Sequence, residues 1–261
     1  MFKFGAFSGL TALLFREGKI WWGLRYLVFT SLFTPLLYFF LLGTGMREMM
    51  GEMLFDGSPV DDYILFLTPG IIGMGIVSIA ISSGTTSFNE RQWGTFERVL
   101  TLPVSRSSYV LAKILVAMIL SIGQLLFILL LGIPLVEGGL YCDNIFLVLL
   151  ATLLGVICFC SFITLLALSI KSSTEFYGLT GLMLLPIILC SPAFYSLEAM
   201  PFWLRAIAYI NPMTYMVDVL RAGFMGSWDQ QIPWGIEVLI LCVFTILFLA
   251  ISIISLRRVR V

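Results

Sequence analysis

Residues 89–103 read NERQWGTFERVLTLP, the most charged stretch of an otherwise oily chain. It lies between two long apolar runs, so it sits on one side of a membrane. Taken as one helix over about 89–102, Glu90, Gly94, Glu97 and Thr101 fall at i, i+4, i+7 and i+11 and form a polar stripe. Trp93, Phe96, Val99 and Leu100 make the opposite, apolar face. Arg91 and Arg98 repeat at i and i+7 on the flank, and Pro103 closes the segment because its ring is not tolerated in a helix interior. Such a helix is suited to dock a cytosolic partner, and the rest of the chain is then what the partner moves.

Composition sets the solvent. Sixty per cent of the residues are hydrophobic and only 11% are charged, less than half the charged share of a soluble domain. Several runs approach or exceed the roughly 20 residues that cross a bilayer. The expected fold is therefore an all-α integral membrane protein, one transmembrane domain over residues 1–261, without a separate soluble domain. There is no histidine, which removes the commonest general base and metal ligand. Of Cys142, Cys158, Cys160, Cys190 and Cys242, all but the first lie inside apolar runs, so neither a metal site nor a disulfide framework is expected. Arg16, Glu17 and Lys19 interrupt the N-terminal apolar residues, which argues against a cleavable signal peptide.

Residues 2–20 read as an interfacial helix, followed by Trp21, Trp22 and Tyr26 at headgroup level. Six spans are expected after it, at about 26–45, 63–87, 114–136, 145–170, 176–195 and 238–256. Pro35 lies in the first, and Pro186 and Pro192 kink the fifth. With a cytoplasmic N-terminus, the inner segments hold Lys3, Arg16, Lys19, Arg25, Arg91, Arg98, Arg106, Lys113, Lys171, Arg257, Arg258 and Arg260. The outer ones hold Arg47, Arg205 and Arg221. Twelve against three favours this orientation by the positive-inside rule, and the C-terminus is then cytoplasmic too.

Those six spans contain no Asp, Glu, Lys or Arg. Ion-driven pumps keep buried ionisable groups for coupling, so energy should come from outside the membrane. Gln124 is the most polar side chain within a span, and an interhelical hydrogen bond is its plainer reading. Ser78, Ser82, Thr85 and Thr86 form a small polar stripe on the second span, with Gly70, Gly73 and Gly75 near its outer end. Small residues at this spacing mean close helix packing first. A translocation path along Ser78, Ser82, Thr85 and Gln124 is the functional alternative.

Residues 196–237 are too interrupted to span. Two short outer helices are signalled over about 201–224. Pro201 suits the start of one, and Asn211 with Pro212 caps and starts the other. On the second, Met213, Met216, Val217 and Leu220 are apolar, and Asp218 and Arg221 pair at i, i+3.

No phosphate-binding loop is present: Gly18-Lys19 lacks the following Ser or Thr and the upstream Gly. No nucleophile elbow or zinc-protease motif occurs either. The chain is not expected to be an enzyme, and any ATP hydrolysis should occur on another subunit.

The segment Glu90-Arg91-x-x-Gly94-Thr95-x-Glu97, continuing to Leu100, Pro103 and Lys113, resembles the cytoplasmic motif of ABC-2 type exporter permeases. The stretch Asn211-Pro212-x-Thr214-Tyr215-x-x-Asp218-x-x-Arg221 resembles their second signature. The resemblance covers nearly the whole chain. It implies a permease that pairs with a second copy, as homodimer or heterodimer, and with a separate ATP-binding subunit that holds ATP and Mg. It implies that Glu90, Arg91, Gly94, Thr95, Glu97 and Arg98 belong to the coupling helix, and Asn211, Pro212, Asp218 and Arg221 to the outer helices. It further implies export of a lipophilic drug, lipid or (lipo)saccharide across a bacterial inner or archaeal plasma membrane. Lipid surrounds the chain, no cofactor is held by it, and no nucleic acid partner is expected. The competing readings are an ion-coupled or passive secondary transporter and a non-transporting membrane assembly factor.

Overall fold

The computed structural model describes residues 6–45, 63–101, 106–132, 142–226 and 232–258, and these are all helix or short connections. The helices are α1 (Ala6–Gly23), α2 (Arg25–Gly45), α3 (Tyr63–Gln92), α4 (Thr95–Leu100), α5 (Arg106–Gly132), α6 (Ile145–Ser169), α7 (Ser173–Leu189), α8 (Phe202–Ala208), α9 (Pro212–Met225) and α10 (Trp234–Arg258). Five of them, α2, α3, α5, α6 and α10, are long and apolar enough to cross a membrane.

The expected fifth span is the exception. Helix α7 is apolar but only 17 residues long, about 26 Å at the α-helical rise, against a hydrocarbon core of roughly 30 Å. It ends at Leu189, where the Cys190 N–H reaches back to Pro186 O. Pro192 lies in the turns beyond, where it cannot continue a helix. Of the six expected spans, five are thus found as long apolar helices among the described residues, and the fifth in order is a shorter apolar helix.

Two further expectations change. The spans run longer than their apolar cores. Helix α3 continues through Asn89–Gln92, α5 starts at Arg106 and α10 at Trp234. Lys113 and Glu237 therefore lie inside membrane-length helices, both almost fully buried at 1% and 2% exposure. The absence of ionisable groups held for the apolar cores but not for the helices that carry them. Helix α9 also differs. Expected as a short helix with one apolar face, it is buried along Met213–Phe224 on all sides, wedged among α3, α6 and α10.

Helix α3 is the central post, packed against α2, α5, α6 and α9. Its glycines make this possible. A β-carbon at Gly70 would collide with the Ala193 backbone, and one at Gly75 with the Gln124 amide. One at Gly73 would meet only the side-chain tips of Met216, Val217 and Met213. Helix α10 is the other main partner of α6. Helix α7, by contrast, buries only Phe176, Thr180 and Ile188.

Candidate functional site: the charged end of the helix bundle

The decisive stretch does not form one helix. Helix α3 carries Asn89–Gln92 as its last turn, then breaks at Trp93-Gly94, and α4 follows. Gly94 adopts φ 67°, which favours glycine and makes the turn. The Trp93 N–H still bonds Asn89 O at 2.9 Å. The expected polar stripe from Glu90 to Thr101 is thereby split, and its first part turns inward.

Glu90 enters a buried cluster of charges. Its Oε2 accepts a hydrogen bond from the Tyr109 hydroxyl at 2.8 Å. Its Oε1 lies 3.1 Å from Arg16 Nη2 and 3.4 Å from Lys113 Nζ. Lys113 Nζ also donates to Glu17 Oε2 at 3.1 Å and to Thr86 Oγ1 at 3.2 Å. Arg16 Nη1 completes the ring on Glu17 Oε1 at 3.1 Å. Three elements thus meet: Arg16 and Glu17 from α1, Thr86 and Glu90 from α3, and Tyr109 and Lys113 from α5. Two carboxylates and two cations balance. Burial nonetheless pushes the Glu17 carboxyl above the usual carboxylate range, against the opposing pull of Lys113.

Helix α4 rests on this cluster. Phe96 is fully buried, and its ring meets that of Tyr109 edge-on at 5.3 Å between centroids. Val99 is buried beside it. Trp93 and Arg98 point outward, Trp93 at 73% exposure. Trp93 was expected on the apolar inner face with Phe96 and Val99, and the Gly94 turn swings it out instead. Thr95 is half-buried and Thr101 exposed, its hydroxyl donating to Arg98 O at 2.8 Å. The Glu97 and Leu100 side chains lie outside the described residues, as do residues 102 and 103.

Arg91 is occupied within the chain. Its Nη1 donates to the carbonyls of Ala167, Leu168 and Ile170, at 3.2, 2.6 and 3.0 Å. These lie at the C-terminus of α6, where carbonyls lack helical partners and a cation is favoured. Gln92 donates to Lys171 O at 2.7 Å, Tyr177 to Asn89 Oδ1 at 2.8 Å, and Phe88 stacks on Phe176 at 4.4 Å. The end of α3 thus holds the turn between α6 and α7.

On the opposite end, Asn211 caps α9 by accepting from Met213 N at 3.0 Å, with Pro212 in the first turn. Asn211 also donates to Ile187 O and Cys190 O, tying α9 to the end of α7. Arg221 Nη1 bonds Asp218 Oδ1 at 2.9 Å, and Nη2 bonds Pro192 O at 2.6 Å. The guanidinium lies 4.0 Å from the centre of the Phe66 ring on α3. Asn211 and Arg221 therefore tie α9 to the end of α7, to the turn beyond it and to α3, with Asp218 holding Arg221 in place.

The residues considered for a path are dispersed in their contacts. Ser78 donates to its own helix at Met74 O, Ser82 is buried and Thr85 is half-buried. Gln124 packs its amide against Gly75, and neither amide atom has a hydrogen-bond partner among the described residues. The expected interhelical hydrogen bond is not made. Sequence reasoning missed Glu17, Tyr109 and the partners of Lys113. Their signal was a pair of matched i, i+4 polar couples, Thr86/Glu90 and Tyr109/Lys113, at the adjoining ends of neighbouring spans. Among the described residues no cluster of His, Cys, Asp and Glu could hold a metal ion.

The chain is similar in sequence to several membrane transport permeases. A putative transport permease, ycf38, of Cyanophora paradoxa is 28% identical over 76% of this chain and 68% of its own. The daunorubicin resistance ABC transporter permease protein DrrB1 of Streptomyces coeruleorubidus is 27% identical over 75% of this chain and 72% of its own. The inner membrane transport permease YadH of Escherichia coli K12 is 25% identical over 86% of each. The family model described as ABC-2 type transporter matches residues 8–225, from α1 to the end of α9, and the chain is accordingly a multi-pass membrane protein of the ABC-2 type transporter family.

Proposed function

We propose that this chain is the permease subunit of an ATP-driven exporter, and that a separate ATP-binding subunit docks on α4 from the cytoplasm. The observation that carries this is the unbroken path from α4 into the bundle: Phe96 on Tyr109, Tyr109 on Glu90, and Glu90 through Lys113 to Glu17. A push on the exposed side of α4, at Trp93 and Arg98, reaches α3, α5 and α1 together. Arginine in such a contact makes charge-assisted hydrogen bonds to a partner's acids. Glu97 belongs to the same helix and stays in the proposed docking contact on its sequence position alone, whereas Glu90 and Arg91 act from inside. ATP and Mg belong to the partner, because the sequence carries no phosphate loop.

The functional unit pairs two permease copies, identical or related, with two ATPase subunits in a bacterial inner or archaeal plasma membrane. Both termini and α1 lie on the cytoplasmic side, in keeping with the basic residues. The cargo is a lipophilic drug, a lipid or a lipid-linked saccharide, and the name of the Streptomyces relative supports the drug among these. The test is co-purification with a candidate ATP-binding subunit from the same organism, followed by ATP hydrolysis and export in vesicles. Export by the permease alone, or no binding of any ATPase, would overturn the proposal.

A second reading, ion-coupled transport, draws on Lys113 and Glu237 buried in membrane-length helices. It predicts transport that survives ATP depletion and collapses with the ion gradient.

A further inference from the structure

Helix α1 has two unlike sides. Leu13, Glu17 and Trp21 are buried, with Glu17 held in the ion cluster. The other side exposes Phe15 (77%), Lys19 and Trp22 (82%). At 3.6 residues per turn these three fall within one narrow arc. Past the junction at Gly23, exposed Arg25 and Tyr26 continue the same composition. The only acid of the helix is turned away and engaged by Lys113, so the arc carries positive charge alone. Neither Lys19 nor Arg25 makes an ion pair among the described residues.

We propose that this arc is a docking surface for anionic lipid of the inner leaflet. Lys19 and Arg25 meet headgroup phosphates, while Phe15, Trp22 and Tyr26 lie where headgroups give way to acyl chains. Charge complementarity favours this occupant: juxtamembrane bases are drawn to anionic lipid, and large amphipathic aromatics belong at that depth. The same helix delivers Arg16 and Glu17 to the cluster under α4. Lipid bound on the outer arc therefore fixes the helix that completes the coupling path, and partner-stimulated ATP hydrolysis should rise with anionic lipid. The proposal rests on the cytoplasmic placement of α1 given above.

The test uses the full-length permease in phosphatidylcholine vesicles doped with either brominated phosphatidylglycerol or brominated phosphatidylcholine. The chain has six tryptophans, so the share of Trp22 is read as the difference between the unmodified chain and Trp22→Phe. Brominated phosphatidylglycerol is expected to quench that share more strongly. The preference should fall by roughly fivefold in affinity per charge removed in Lys19→Gln, Arg25→Gln. Equal quenching by the two lipids overturns the proposal, as does a preference unchanged in the double variant. Quenching by neither, with Trp22 covered by a second copy or another protein, overturns it as well. A parallel measurement labels Lys19→Cys, in a background lacking the five native cysteines, with a membrane-impermeant reagent on intact cells. Labelling from outside defeats both this proposal and the cytoplasmic placement. Labelling only after permeabilisation, with no lipid preference, defeats the lipid site alone.

Discussion

Phe96 and Tyr109 meet edge to face at 5.3 Å, and this ring contact joins the short helix α4 to the ion cluster. It is an apolar joint on a polar lever: Tyr109 holds Glu90 with its hydroxyl and Phe96 with its ring. Removing Phe96 empties a buried site. Phe96→Ala should cost about 3–5 kcal/mol by the usual measure of such truncations, read as thermal unfolding in detergent. Phe96→Leu should lose less stability. If Phe96 serves coupling, stimulation of the partner ATPase should fall further in the alanine variant than export-independent folding assays explain.

Lys113 neutralises two buried carboxylates at once. Lys113→Met leaves Glu17 and Glu90 with Arg16 alone and should destabilise the chain by about 3–5 kcal/mol. Adding Glu17→Gln to the same variant should restore most of the loss, because the remaining Glu90–Arg16 pair is balanced and no buried ion is left unpaired. Melting temperatures of the single and double variants decide this.

Arg91 closes the C-terminus of α6. Arg91→Ala strands three carbonyls, and each charge-assisted hydrogen bond is worth about 1.5–3 kcal/mol. Amide hydrogen exchange over residues 167–173 should accelerate, while exchange within α9 stays unchanged.

Two glycines on α3 offer a controlled comparison. Gly70→Ala drives a methyl into the fixed backbone of Ala193, whereas Gly73→Ala meets the flexible tip of Met216. Gly70→Ala should abolish or sharply lower the yield of folded protein. Gly73→Ala should cost no more than the roughly 1–3 kcal/mol of ordinary overpacking. Size-exclusion profiles and melting curves distinguish them.

Much of this was legible in the chain itself. The long apolar runs gave α2, α3, α5, α6 and α10, because membrane length and composition are local properties. Asn211-Pro212 marked α9 to the residue, because a cap and a fixed φ are also local. The break at Gly94 was not legible: the residue fits the helical stripe equally well, and its positive φ is set by how α4 folds back onto Tyr109. The burial of α9 was hidden for a similar reason. Asp218 and Arg221 look solvent-facing until Phe66 and Pro192 close over them. At α7 an apolar run with two prolines gave a helix shorter than the other five. Glu17 looked like a surface charge on an interfacial helix, since Lys113 lies far along the sequence.

That distance bears on how the chain is made. Glu17 and Lys113 are 96 residues apart, so α1, α2 and α3 are all translated before the lysine is added. During synthesis Glu17 has only its neighbour Arg16 as a counterion until α5 brings Lys113. The charge cluster is thus completed only by the third of the long apolar helices to be made.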